Sequence, residues 1–191
     1  MSLVPKAFAI VEPQVYRSSA FSREHFPFIR QLKLKTILFL STEEAPKSLI
    51  DFCAEEEKVT LSCLASKQLS RHGQPGDWSP LKGELVKTAL ETVLDSAKLP
   101  LIIICLSGVH QTGALVGCLR KLQGWSFTSI IEEHRRFTEA ISRSPVEYFI
   151  EMFDTDVVTL PKDLPDWFNE DLELLRSEEE EERQKIRTLQ E

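Results

Sequence analysis

The sequence predicts an α/β domain, on three observations. Strand-like and helix-like pieces alternate along the chain. The run Leu101 to Ile104 is continuously apolar, in the manner of a strand buried on both faces of a parallel sheet. Amphipathic helical patterns stand on either side of that run. With 191 residues the chain is long enough for one compact domain, placed at Phe8 to Asp154.

Each element has its own signal. Val15 to Arg17 is a short extended piece after Pro13. Phe26 to Leu34 carries Phe26, Ile29 and Leu32 on one helical face. Thr36 to Leu40 is a β-branched and apolar run, a buried strand. Pro46 to Lys58 reads as a helix and Val59 to Leu64 as the next strand. Ser66 to Pro80 holds Gly73, Pro75, Gly76 and Pro80 and is a long loop, of a length that is often functional. Leu85, Val86, Ala89, Leu90, Val93, Leu94 and Ala97 mark an amphipathic helix at the 3.6 period. After the central strand, Leu115, Val116, Leu119 and Leu122 mark another helix, which begins near Thr112. Phe127, Ile130, Ile131 and His134 mark a further one, and Val146, Phe149, Ile150 and Phe153 the next. Pro161 and Pro165 make residues 155–166 a linker, and residues 167–191 an acidic helix or tail. Its run Glu178 to Glu182 reads as a solvated face; a partner-binding helix would rest on Trp167, Phe168, Leu172 and Leu175.

Composition narrows the function. The chain has 23 Lys and Arg against 30 Asp and Glu, a net charge of −7, and much of the excess lies after Asn169. The nearly neutral body argues against a nucleic-acid surface. The longest apolar stretch, Leu99 to Leu106, is far short of a bilayer span, so no membrane segment is expected. No secretory signal is visible at the start, which makes a cytoplasmic protein with reduced thiols the expectation. The four cysteines form no CxxC pair and the four histidines are scattered, so neither a metal nor another cofactor is expected. Cys53, Cys63 and Cys118 read as small core residues. Trp78, Trp125 and His134 read as packing residues, the histidine hydrogen-bonded.

Cys105 is different. The stretch LIIICLSGVHQTGALVGCLRKL ends a buried strand at this cysteine, turns through a glycine-containing loop and opens a helix. Such a turn gathers backbone N–H groups around one point and aims a helix N-terminus at it, which favours an anion and a thiolate. An NTPase phosphate loop is excluded, because Ala114 stands where a Lys must follow Gly113. A Rossmann turn lacks its third glycine.

The order Ile104, Cys105, Leu106-Ser107-Gly108-Val109-His110, Gln111, Thr112 resembles the cysteine-dependent phosphatase signature of His, Cys, five residues, Arg, then Ser or Thr. Together with AFAIVEPQVYRS, HFPFIRQLKLKTILFL, GCLRKLQGWSFTSIIEEHRRF and EYFIEMFD, the chain resembles the atypical dual-specificity phosphatases of fungi and plants, a family that includes inositol-pyrophosphate phosphatases. The resemblance implies a cysteine-dependent phosphatase-like fold, with a mostly parallel sheet of four or five strands flanked by helices. It implies Cys105 as nucleophile, with Thr112 sharing a hydrogen bond with it, and a phosphate cradle of Leu106, Ser107, Gly108, Val109, His110, Gln111 and Thr112. Asp77 of GDWSP is the candidate general acid, although one Asp in such a loop is more often a solvated turn residue.

The site also departs from the signature. Gln111 stands in the place of the forked arginine and cannot make its charged bidentate grip. Ile104 replaces the His, and Leu106, Ser107 and Val109 remove loop charge. Ile141 and Val146 stand where the family tends to have a Lys and an Asp. The expectation is a pseudophosphatase that binds a phosphorylated small molecule or phosphoprotein, or associates with related phosphatase-like subunits in a hetero-oligomer. Two alternatives stand beside it. One is an active phosphatase using Cys105, with His110, Arg143 or Arg71 as its cation; the other is an adaptor that binds no phosphate.

Overall fold

Five strands form one sheet: β1 (Ala9–Glu12), β2 (Val15–Ser19), β3 (Thr36–Leu40), β4 (Thr60–Leu64) and β5 (Leu101–Cys105), in the spatial order β1-β2-β5-β3-β4. The computed structural model describes residues 3–41, 43–64, 83–138 and 144–190. β5 sits in the centre, parallel to β2 on one side and to β3 on the other. β4 adds in parallel at one edge, and β1 folds back antiparallel on β2 at the other. The sheet is therefore α/β and mostly parallel.

The helices are α1 (Phe26–Ile29), α2 (Lys47–Glu55), α3 (Gly83–Val93), α4 (His110–Leu122), α5 (Phe127–Arg135), α6 (Pro145–Met152) and α7 (Asp166–Gln190). Side chains alternate across a strand, so β5 feeds two cores. Leu101, Ile103 and Cys105 point to the face covered by α3 to α7, among Leu90, Leu115, Ile130, Ile150 and Phe168. Ile102 and Ile104 point to the opposite face, among Phe26, Ile29, Leu49 and Phe52.

Four details differ from the sequence reading. The hairpin strand β1 leaves no periodic signal in four residues, and its Ile10 is exposed. The single helical face over Phe26 to Leu34 is divided: one α turn lies between two 3-10 turns, ending at Lys33 with φ 50°. Cys63 is exposed because β4 is an edge strand, and Cys53 of α2 is only half-buried. Trp125 is 41% exposed and lies against the Arg120 guanidinium, 4.3 Å from ring centroid to Cζ, so it is not a core anchor. Cys118, Val146 and His134 are buried. Phe168 is fully buried, and Leu164, Trp167 and Leu172 pack on the same core, so these apolar residues of the chain's end contact its own body. Among the described residues, no helix is long and apolar enough to cross a membrane.

Candidate anion-binding loop

β5 extends to Cys105, one residue beyond the apolar run, and α4 begins at His110, two residues before the expected start. Residues 106–109 join them. Val109 is the N-cap of α4 and makes no side-chain cap hydrogen bond. Capping oxygens of Ser, Thr, Asp or Asn normally satisfy a first-turn amide. A valine has none, so the first-turn amides lack that acceptor and favour an anion.

Gly108 makes the turn possible. It holds φ +73°, and a Cβ there would stand 2.5 Å from the Ser19 backbone N and 2.9 Å from the Ser18 carbonyl oxygen. A side chain is excluded both by conformation and by the passing strand β2. The Gly108 N–H donates to Cys105 Sγ at 3.2 Å. Ser107 Oγ lies 3.9 Å from the same sulfur and accepts the Val109 N–H at 3.2 Å. The serine hydroxyl thus takes an amide that would otherwise face a bound anion.

The expected hydrogen bond from Thr112 to Cys105 is not formed. Thr112 is fully buried on the inward face of α4 and its Oγ1 has no partner, while the sulfur takes its donor from Gly108. Leu106, Ser107 and His110 are exposed, Val109 and Gln111 half-buried, and Gly108 buried. No Lys or Arg occurs between Leu106 and Thr112. Asp77, Arg71, Trp78, Ile141 and Arg143 lie outside the described residues.

A cation that the sequence reading did not single out lies behind the loop. Arg17 of β2 is 1% exposed. Its Nη2 donates to the Gly108 carbonyl at 2.8 Å, and its guanidinium carbon stands 3.7 Å from the Phe137 ring centroid. Burial pulls its pKa down to about 10, against the attraction of Glu133 and Cys105, so it remains a cation at neutral pH. The signal available in sequence was an Arg alternating with Val15 and Ser19 on one face of a strand.

Two further groups complete this inner side. His134 of α5 is 4% exposed, and the missing side chain of Gly113 makes room for its ring. Among the described residues its Nδ1 has no hydrogen-bond partner, contrary to expectation. Burial first, then Arg17, pulls its pKa down to about 4, so the imidazole is neutral at pH 7. Arg120 of α4 is committed elsewhere: it is paired with Glu12, with Glu133 at 2.9 Å, and donates to the Val11 carbonyl at 2.8 Å. Burial pushes the Cys118 thiol up, away from reactivity.

The sequence matches a family described as "Tyrosine phosphatase family" over residues 2–171. It is 40% identical over 163 residues to the probable tyrosine-protein phosphatase DG1060 of Dictyostelium discoideum, covering 85% of this chain and 94% of that protein. It is 39% identical over 155 residues to the inositol diphosphatase SIW14 of Saccharomyces cerevisiae, covering 81% of this chain and 53% of that protein. The fold superposes on the crystal structure of the SIW14 core catalytic domain in complex with citrate with a TM-score of 0.71, at 38% identity, covering 82% of this chain and 90% of that one.

Proposed function

From the premise that the chain belongs to the tyrosine phosphatase family, we propose that it binds a phosphorylated ligand in the loop over Cys105 and turns it over poorly or not at all. One observation carries this reading: the position six residues after the cysteine is Gln111, in a loop lined by Leu106, Ser107 and Val109. Main-chain dipoles and the α4 N-terminus supply attraction for an anion. They do not replace a forked guanidinium on a transferring phosphoryl group, which is worth roughly 10³–10⁵ in rate where it is supplied. The likeness to an inositol diphosphatase makes a multiply phosphorylated inositol the first ligand to test, with phosphoproteins next. Association with related phosphatase-like subunits is part of the same proposal.

A second reading, an active phosphatase with Cys105 as nucleophile, is favoured by the buried Arg17 cation beneath the loop. Hydrolysis of an aryl phosphate and of an inositol pyrophosphate by the full chain and by Cys105→Ser separates the two. The expected outcome is equal background release from both proteins, together with a thermal midpoint that rises with added phosphate. Enzyme-like turnover abolished by Cys105→Ser overturns the proposal. An unmoved midpoint with every ligand favours an adaptor that binds no phosphate.

A further inference from the structure

Burying a guanidinium costs several kcal/mol unless something compensates it. Arg17 is 1% exposed, and no carboxylate lies within ion-pair distance of it among the described residues. Glu133, the acid that attracts it, is bonded to Arg120 through both oxygens, at 2.9 and 3.1 Å. Arg17 Nε has no hydrogen-bond partner among the described residues. What the guanidinium does hold is the Gly108 carbonyl and the Phe137 ring.

The peptide unit after Gly108 gives that hydrogen bond a consequence. In a trans peptide the carbonyl and the following N–H point in opposite directions. Drawing the Gly108 oxygen toward Arg17 therefore turns the Val109 N–H away from Arg17. There it meets Ser107 Oγ, the hydroxyl that stands 3.9 Å from Cys105 Sγ. Register supports the placement: β2 runs parallel to β5, with Arg17 opposite Ile103 and Ser19 opposite Cys105. The arginine reaches forward along the face that carries the cysteine.

We propose that Arg17 is the positioning residue of this loop: it fixes the Gly108–Val109 peptide with its N–H on Ser107 Oγ at the cysteine's side, and supplies from behind the positive charge that Gln111 lacks in front. The inference rests on the reading that the loop holds a phosphoryl anion, and it goes beyond that reading by naming the group that keeps the loop receptive. The charged and titratable groups around it are Glu133 and His134 from α5, Arg120 from α4 and Cys105 from β5; the attraction between Arg17 and Cys105 adds to the geometric argument. His110 of α4 acts on His134 in the same neighbourhood.

The test compares full-length native protein with Arg17→Met, Arg17→Gln and Arg17→Lys. One readout is the pH midpoint of the ultraviolet thiolate absorbance that Cys105→Ser abolishes; the other is the dissociation constant for inorganic phosphate. Loss of Arg17's charge raises the midpoint and weakens phosphate about tenfold, a fold-change equivalent to 1.36 kcal/mol. Arg17→Lys keeps the charge and recovers most of the midpoint but not all of the affinity, because the planar guanidinium that reaches the Gly108 carbonyl and lies over Phe137 is lost. Should Arg17→Met fail to fold, Arg17→Gln decides, since its amide can still donate to the Gly108 carbonyl. A folded neutral variant with native midpoint and native phosphate affinity overturns the inference. Native protein that binds no phosphate, while its thiolate midpoint still moves with Arg17, sinks the functional reading and leaves the positioning role standing.

Discussion

His134 is a group that folding keeps uncharged. Its pKa is about 4 in the native protein, against an ordinary value near 6.5. Between those values the unfolded chain binds a proton that the folded one does not, so stability falls as pH drops through this window. From pH 7 to pH 5 the loss from this one residue is about 2 kcal/mol. Urea unfolding at both pH values should show a steeper fall for the native protein than for a folded His134→Asn variant. Equal slopes would mean that the imidazole is solvated. The residue scale is also where the sequence was least legible. Cys105, Gly108 and Gln111 are visible because a strand, a turn and a helix start follow one another in eight residues. Arg17 and His134 reach the same place from 88 residues before and 29 residues after Cys105, and no local pattern connects them.

Among the elements, α4 had the clearest pattern and has the closest packing. It carries Gly117 against Ile150 of α6, and a Cβ at Gly117 would overlap Ile150 Cδ1 and stand 2.8 Å from its Cγ1. Gly→Ala inside a helix ordinarily gains about 1 kcal/mol. Overpacking a filled core costs about 1–3 kcal/mol, and Ile150 is fully buried, so the second effect wins here. Gly117→Ala should lower stability by up to about 2 kcal/mol, and adding Ile150→Val should remove most of that loss in a double-mutant cycle. A more stable Gly117→Ala single variant would show that α6 yields freely. Periodicity located α3 to α6 because one face of each is buried in the same core. It missed β1, which offers only four residues, and it merged the turns around Phe26 because Phe26 and Ile29 remain inward while the backbone changes helix type. It placed Cys63 inside because an edge strand and a central strand share the same apolar composition.

Across the whole molecule, the two ends of α7 do different things. Its first turns belong to the fold: Phe168 is fully buried, Leu175 covers Gly124, and Asp171 accepts from Gln123 Nε2 at 2.7 Å. That last bond joins α7 to the Glu12–Gln123–Arg120–Glu133 cluster, which ties β1, α4 and α5 together. Beyond Leu175 the described side chains are exposed, and the ion pair Lys185–Glu181 at 3.8 Å is of the solvent-screened kind worth little. Residues 176–191 hold six Glu against four Lys and Arg, so this half of the helix adds charge and solubility without adding core. Phe168→Ala should cost about 3–5 kcal/mol, as for other buried aromatic truncations. Ending the chain after Leu175 should change stability by less than about 0.5 kcal/mol, the usual range for surface changes. Chemical denaturation of the two variants beside the native protein checks both. A truncation as damaging as Phe168→Ala would mean that the acidic segment folds back onto the domain, and an innocuous Phe168→Ala would mean that α7 is not part of its core.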